Sequence, residues 1–302
     1  MASDTVRTEP ARRHGLLLDL FAASRPLSWI NTAFPFAAAY LLTTRDIDAA
    51  LVIGTIFFLI PYNLAMYGIN DVFDYASDAR NPRKGGVEGA LLPPGRHRAV
   101  LLAAVGLCVP FVVALVLLGG PASWLVLAIS LFAVAAYSVP GLRFKEVPFL
   151  DSLTSSVHFT SPAVYGLVLA GATFTPELLA LLAAFLLWGV ASHAFGAVQD
   201  VVPDREGGIA SIATVLGARW TVRFAILAWL AAGVLMLFTA VPGPLASVLV
   251  LPYVVTAWPY RNVSDADSGE ANAGWRRFLG INYAVGFVVT MLLIGYALRS
   301  GG

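Results

Sequence analysis

Six polar residues in two short stretches carry the pattern with the clearest chemical meaning. In NLAMYGINDVFDYASD, Asn70, Asp71, Asp74 and Asp78 fall three and four residues apart, and in QDVVPDREGGI, Asp200 and Asp204 repeat the four-residue step. On a helix these steps stack side chains along one stripe. The first stretch therefore predicts Asn70, Asp71, Asp74 and Asp78 on a common face, extended upward by Asn63 and Tyr67. Like charges so spaced repel by roughly 0.2–0.5 kcal/mol each in water, and by more where water is scarce. A cationic partner is expected to compensate. Oxygen-only ligands, carboxylates plus an amide, suit a hard ion such as Mg2+, which completes its shell with phosphate oxygens and water. With Arg and Lys close by, the two clusters read as a metal–diphosphate site. The simpler alternative is that helix-end Asp and Asn residues only cap or meet solvent; two clusters of the same kind weigh against it. Asp265 and Asp267, in SDADSGE, read instead as a solvated loop.

The elements that must position these groups are membrane spans. Of 302 residues, 58% are hydrophobic and 12% charged, and the mean hydropathy is +0.77, whereas a soluble domain carries about 25% charge. Eighteen acids against nineteen Lys and Arg leave no basic surface for nucleic acid. The single cysteine, Cys108, lies in an apolar run, so no disulfide forms within one chain. Crossing a hydrocarbon core takes roughly 20 apolar residues, and the chain offers nine such runs: 27–43, 49–67, 99–118, 122–140, 151–170, 176–198, 221–240, 244–260 and 278–298.

The breaks between the runs test this count, because Lys and Arg collect on the cytoplasmic side. Arg7, Arg12, Arg13 and Arg25 precede the first run; Arg80, Arg83, Lys84, Arg96 and Arg98 fill the second break; Arg143 and Lys145 fill the fourth. Arg205, Arg219 and Arg223 mark the sixth, and Arg261, Arg276 and Arg277 the eighth, so that only Arg45 and Arg299 of the nineteen fall on the other face. The expectation is an all-α membrane protein with nine transmembrane helices, a cytoplasmic N-terminus and an outside C-terminus, residing in the cytoplasmic membrane. Its long polar loops, and with them both acid clusters, then face the cytoplasm. Residues 12–24 read as an interfacial amphipathic start with Leu16, Leu17, Leu20 and Phe21 toward lipid, rather than a cleaved signal, because Asp19 interrupts the apolar stretch.

At the acid clusters the sequence resembles the UbiA superfamily of intramembrane prenyltransferases, whose motifs read Asn-Asp-x-x-Asp-x-x-x-Asp and Asp-x-x-x-Asp. Asn70, Asp71, Asp74 and Asp78 match the first, and Asp200 and Asp204 the second; the continuation GGIASIATVLG resembles the family's as well. The resemblance implies one domain over residues 1–302, with 1–26 as a cytoplasmic or interfacial segment, built as a helical bundle around a central cavity. It implies Mg2+ ions on Asn70, Asp71, Asp74, Asp78, Asp200 and Asp204 holding an isoprenyl diphosphate, with Asp71, Asp74, Asp200 and Asp204 central to catalysis. By the same resemblance Tyr137, Arg143 and Lys145, in AYSVPGLRFK, and Arg25, in SRPLSW, contact the diphosphate; as a plain membrane anchor these cations would look the same. The loop NPRKGGVEGALLPPGRHR departs from the aromatic-acceptor pattern and is similar to the carotenoid branch. Its members, the lycopene elongases, add C5 units to lycopene toward C50 carotenoids, some with addition of water. A quinone precursor, a tetrapyrrole or another lipid is the alternative acceptor, and a partner subunit is neither required nor excluded.

Ionisation of an allylic diphosphate leaves a cation that aromatic faces in an apolar pocket can shield. Trp29, Phe34, Phe36, Tyr67, Phe159, Tyr165, Trp188 and Phe195 are candidates. Polar groups inside spans are functional candidates by default, although helix–helix hydrogen bonding explains them equally well. His193, seven residues before Asp200, shares its face, and Asn63, Tyr67 and His193 are the expected acceptor or cation pocket. A cation-coupled transporter is the rival class, disfavoured because the acids sit at helix ends rather than at the midplane.

Overall fold

The structure, a computed structural model, describes residues 15–79 and 90–300, and the side chains of these apart from Ser77 and Ser300. Arg7, Arg12, Arg13, Arg80, Arg83, Lys84 and the first half of the loop compared above with the carotenoid branch lie outside the described residues. Helices in chain order are α1 Leu16–Ala23, α2 Ile30–Thr44, α3 Ala49–Leu59, α4 Pro61–Phe73, α5 Tyr75–Asp78, α6 Pro94–Leu118 and α7 Pro121–Ser138. They continue as α8 Leu150–Leu169, α9 Pro176–Ala197, α10 Val201–Glu206, α11 Ile212–Leu216, α12 Ala218–Met236, α13 Leu251–Ala257 and α14 Ala271–Ser300. No strand occurs among the described residues.

Among the described residues, seven helical stretches are long and apolar enough to cross a membrane: Ala49–Phe73, Pro94–Leu118, Pro121–Ser138, Pro176–Glu206, Ala218–Met236, Gly243–Tyr260 and Ser268–Arg299. The other two expected spans are helical but fall outside that set. α2 has only 15 residues, its N-terminal end being taken up by a separate 3-10 turn at Pro26–Ser28. α8 carries a buried polar series, Asp151, Ser152, Thr154, Ser156, His158, Thr160 and Ser161. That series costs little because α8 packs against α2, α7 and α9 rather than against lipid.

Proline sets the break between α3 and α4. Pro61 opens α4 at its first position, and the break so made leaves carbonyls of the preceding turn without their helical donors. Asn63 supplies them: its Nδ2 donates to Phe58 O at 2.8 Å, Leu59 O at 3.1 Å and Thr32 Oγ1 at 2.7 Å. Asn63 is fully buried and does not line the cavity, so its expected place in the acceptor pocket is corrected to one in the α2–α3–α4 core.

Two apolar clusters result. One joins α2, α3, α4 and α6 around Phe36, Phe57, Phe58, Tyr62 and Tyr165; the other joins α9, α12, α13 and α14 around Phe195, Trp229, Tyr253 and Phe278. Residues of both halves line a single cavity of about 2110 Å³. At the entrance end α1 is pinned to α6 by Asp19 and Arg96, 3.4 Å apart. Leu17 and Phe21 on α1 are exposed, as expected of an interfacial helix, while Leu20 turns inward against the core.

Candidate functional site

The cavity is lined along α2 from Leu27 to Thr43 and along α14 from Trp275 to Tyr296. At 1.5 Å per residue the latter stretch is about 30 Å long, matching a bilayer's hydrocarbon thickness. The two ends of α2 are bridged to α14: in the turn before it Leu27 O accepts from Tyr283 at 3.3 Å, and just after it Arg45 donates to Ala297 O at 3.1 Å. Between these bridges both helices face the cavity with apolar residues such as Phe34, Leu42 and Leu293.

The acids converge on one end. Asn70, Asp74, Asp78, Asp200 and Asp204 all line the cavity. Helical bonding continues through the break after α4, with Asp74 N on Asn70 O at 2.9 Å and Asp78 N on Asp74 O at 2.8 Å; this keeps positions 70, 74 and 78 in one row. Asp71, one residue on from Asn70 and hence about 100° around the helix, is turned away from the cavity. The expected single stripe of four is thus corrected to a row of three with Asp71 behind it. Asp71 is buried, accepting from Arg25 Nη2 at 2.7 Å and from Ala90 N at 3.3 Å. Asp200 and Asp204 sit where the long ninth helix passes through a 3-10 turn, Val198–Asp200, into α10.

The compensating cations anticipated from charge repulsion are present. Lys145 contacts Asp74 directly and lies 3.5 Å from Asn70 Oδ1, which also accepts from Ser138 at 2.8 Å. Arg143 lies 3.6 Å from Asp74 and contacts Glu146. Arg25 stacks its guanidinium 4.3 Å over the Tyr67 ring. Both arginines adopt left-handed backbone, Arg25 at φ 49° and Arg143 at φ 43°, a conformation that costs of order 1 kcal/mol and collects at functional sites. Burial lowers the Lys145 pKa to about 8, against the opposing pull of Glu146, Asp71 and Asp204. For Arg25, burial works against the charge, but the Asp71 carboxylate and Tyr67 more than offset it and hold its pKa above the ordinary value. The Glu146 carboxyl is held below its ordinary range chiefly by the hydrogen bond from Arg143.

The donor set is chemically right for a hard divalent ion: oxygen atoms only, one amide among carboxylates, in a cavity wide enough for phosphate oxygens. Among the described residues no three His, Cys, Asp or Glu side chains are close enough together to hold an ion by themselves. Phosphate oxygens would therefore have to complete any such shell.

Tyr137 and His193 reach the cavity and bond to each other, the tyrosine hydroxyl lying 3.1 Å from His193 Nε2. Of the aromatic candidates, Phe34, Tyr67, Phe159 and Trp188 line the cavity; Phe36, Tyr165 and Phe195 are core residues, and Trp29 donates to Ser24 O at 3.0 Å. Three contributors escaped the sequence reading. Glu146 balances Arg143. Asp151, completely buried, accepts from Ser152 N at 2.7 Å and Ile212 N at 2.8 Å, tying the GGIASI loop to α8. Asp265 is not a solvated loop acid: it caps α12 by accepting from Ala218 N at 2.7 Å and pairs with Arg205 at 2.6 Å. A carboxylate heading a polar helix was the available signal for Asp151; the other two answer to partners distant in sequence.

Residues 32–284 match the family model described as the UbiA prenyltransferase family. The C(50) beta-cyclic carotenoids biosynthesis protein LbtBC of Dietzia sp. (strain CQ4) is 58% identical over 294 residues, covering 96% of this chain and 68% of that one. The lycopene elongase/hydratase of Corynebacterium glutamicum is 51% identical over 277 residues, covering 91% and 96%. A UbiA homolog from Archaeoglobus fulgidus, solved bound to DMAPP and Mg2+, shares the fold with a TM-score of 0.65 at 16% identity, covering 88% of this chain and 98% of that one. Acid motifs at one end of a membrane-length cavity and a family match across most of the sequence lead to one assignment: the chain belongs to the UbiA prenyltransferase family and is an integral membrane prenyltransferase.

Proposed function

We propose that the protein transfers a C5 isoprenyl group from dimethylallyl diphosphate to lycopene, in a Mg2+-dependent step of C50 carotenoid synthesis. The observation that carries this reading is the cavity itself: charged at one end, mainly apolar along α14 from Trp275 to Tyr296, and about as long as a bilayer is thick. Such a shape accepts the end of a long, wholly apolar acceptor from the lipid. The names borne by relatives at 58% and 51% identity support the same acceptor. A quinone precursor or another lipid fits the charged end equally well, the apolar length then taking the tail of a longer donor; the relatives' names favour lycopene.

In this reading Asn70, Asp74, Asp78, Asp200 and Asp204 would hold Mg2+ with the diphosphate, Asp71 acting from behind them through Arg25, and the metal would neutralise the leaving group. Lys145, Arg143 and Arg25 meet the diphosphate oxygens as point charges or bidentate donors, with Tyr137 at their edge. Phe34, Tyr67, Phe159 and Trp188 surround the reacting carbon, exclude water and offer ring faces to an allylic cation. An alkene carbon of the acceptor attacks, and the resulting cation loses a proton or takes up water. The chain is a single domain over residues 1–302, with 1–26 interfacial. It spans the cytoplasmic membrane nine times, with the N-terminus and the diphosphate end cytoplasmic and the C-terminus outside. A cation-coupled transporter has no use for the family's chemistry.

The test is a pigment mass spectrum from a lycopene-accumulating bacterial host expressing the chain. Carotenoids heavier by one or two C5 units, with or without water, are expected. Unchanged lycopene in membranes that contain the protein would refute the acceptor.

A further inference from the structure

A string of hydrogen-bonded side chains leads from the cavity wall into the protein, beside the acids but separate from them. The Tyr137 hydroxyl lies 3.1 Å from His193 Nε2, and His193 Nδ1 lies 3.1 Å from the Ser152 hydroxyl. Tyr137 comes from the end of α7, Ser152 from the start of α8 and His193 from the last turns of α9, so three helices fix one imidazole at both of its nitrogens. His158 stands edge-on to the Tyr137 ring, 5.2 Å away at 77°, and its Nε2 is buried with no hydrogen-bond partner among the described residues. Behind Ser152 lies the buried Asp151 carboxylate.

This arrangement suits proton uptake. Both hydroxyls can donate or accept, so a neutral His193 can receive the Tyr137 proton at Nε2 while its Nδ1–H stays hydrogen-bonded to the Ser152 hydroxyl. Asp71 and Asp74, by contrast, are in contact with Arg25, Arg143 and Lys145, and a carboxylate so paired is a weak base.

Prenyl transfer generates the proton that such a group would take. As the allylic cation joins an alkene carbon, the π pair becomes the new C–C bond and the neighbouring carbon is left cationic. In one outcome an adjacent C–H bond breaks, its electron pair forms C=C, and a proton departs. In the other a water oxygen bonds to the cationic carbon and sheds a proton. Each releases one proton inside an apolar cavity, where a charge without a partner is costly.

We propose that the Tyr137–His193 pair takes up the proton released when the product cation is quenched. The Tyr137 oxygen accepts it as the phenolic proton moves to His193 Nε2, and the imidazolium so formed is offset by the Asp151 carboxylate. His158 holds the Tyr137 ring, and its open Nε2 is a seat for the water of the second outcome. The proposal rests on transfer to an alkene acceptor as described above, with Tyr137 touching the reacting atoms and His193 acting through it.

Membranes containing wild type, His193→Ala, Tyr137→Phe or Lys145→Ala are given lycopene and labelled dimethylallyl diphosphate. Mass spectrometry reads the hydroxylated-to-alkene ratio among extended carotenoids, together with label released as free alcohol. In His193→Ala and Tyr137→Phe the ratio is expected to shift at least tenfold toward the hydroxylated product, because a bound water can shed its proton to further water whereas a C–H proton needs the base; Lys145→Ala is expected to lower all products with the ratio kept. An unshifted ratio in either of the first two variants overturns the proposal. Wild type that leaves lycopene unextended overturns the acceptor, and this proposal with it, before any variant is compared.

Discussion

The Arg25 guanidinium donates to the Asp71 carboxylate at 2.7 Å while lying 4.3 Å over the Tyr67 ring, so the first aspartate of the acid motif is also a structural ion pair. Its two functions separate by mutation. Asp71→Ala strands a largely buried cation, and breaking a buried pair from one side costs about 3–5 kcal/mol. We expect Asp71→Ala to lower the thermal midpoint in detergent by many degrees and to abolish turnover. Asp204→Ala, on the opposite cavity wall, should abolish turnover with a midpoint close to wild type. An unchanged midpoint in Asp71→Ala would show that the pair contributes nothing to the fold.

Metal removal should act on chemistry and spare the fold. Arg25, Arg143 and Lys145 pair with Asp71 and Asp74, and two apolar clusters pack the helices, unlike a domain nucleated by its metal. Chelation with EDTA is expected to abolish prenyl transfer, with recovery on adding Mg2+, and to move the thermal midpoint by no more than about 2 °C, equivalent to roughly 1 kcal/mol or less for a chain of this size. A large fall in midpoint would mean that the ion holds the helices together.

Close approach of α2 and α8 depends on the missing side chain at Gly166. A Cβ built there would stand 2.7 Å from the backbone oxygen of Phe36 and 3.3 Å from Ala39 Cβ. Backbone cannot swing aside as a side-chain end can, and overpacking of this kind costs typically 1–3 kcal/mol. Gly166→Ala should therefore lower both the midpoint and turnover, since α2 forms one wall of the cavity. Wild-type values for both would show that the two helices can part freely.

What was legible in the sequence and what was not divides along a physical line. In a membrane chain with few charges, acids four residues apart advertise themselves, and the need for cations beside them follows from repulsion alone; Arg143 and Lys145 occupy that place. The chemistry of the row Asn70, Asp74 and Asp78 was therefore visible locally. Asp71 was misplaced because one residue is a rotation of about 100°, enough to leave the cavity altogether. Asn63 was misread because its duty, serving carbonyls freed by Pro61, depends on a break in the helix rather than on spacing. α8 shows the same limit from the other side: its serines, threonines and His158 look unlike a span until the neighbouring helices that cover them are known.

Asp265 gives a pH-dependent test outside the site. The hydrogen bond from Ala218 N, then the Arg205 contact and charge, hold its carboxyl below the ordinary carboxylate range. A lowered folded pKa contributes stability that is present above the unfolded value near 3.9 and is lost as pH falls through the folded value. The group is 40% exposed, so screening keeps the ionic part below about 1 kcal/mol. Asp265→Ala should melt below wild type at pH 7, and the gap should narrow near pH 3. A gap independent of pH would assign the effect to packing instead.

The apolar wall can be tested by filling it. Gly286 on α14 lines the cavity, and a Cβ built there meets nothing within 4 Å, so a large side chain can enter the space without displacing backbone. Gly286→Trp would place a ring roughly midway along the 30 Å stretch, about three turns beyond Trp275. A long acceptor lying along α14 would collide with it, whereas a diphosphate at the acid end would not. Extension of lycopene should fall more than tenfold while the donor is still consumed, read as labelled alcohol released from labelled dimethylallyl diphosphate. Equal losses of both would place the reacting end and the acceptor's tail in the same compartment, and unchanged extension would mean that the acceptor enters by another path.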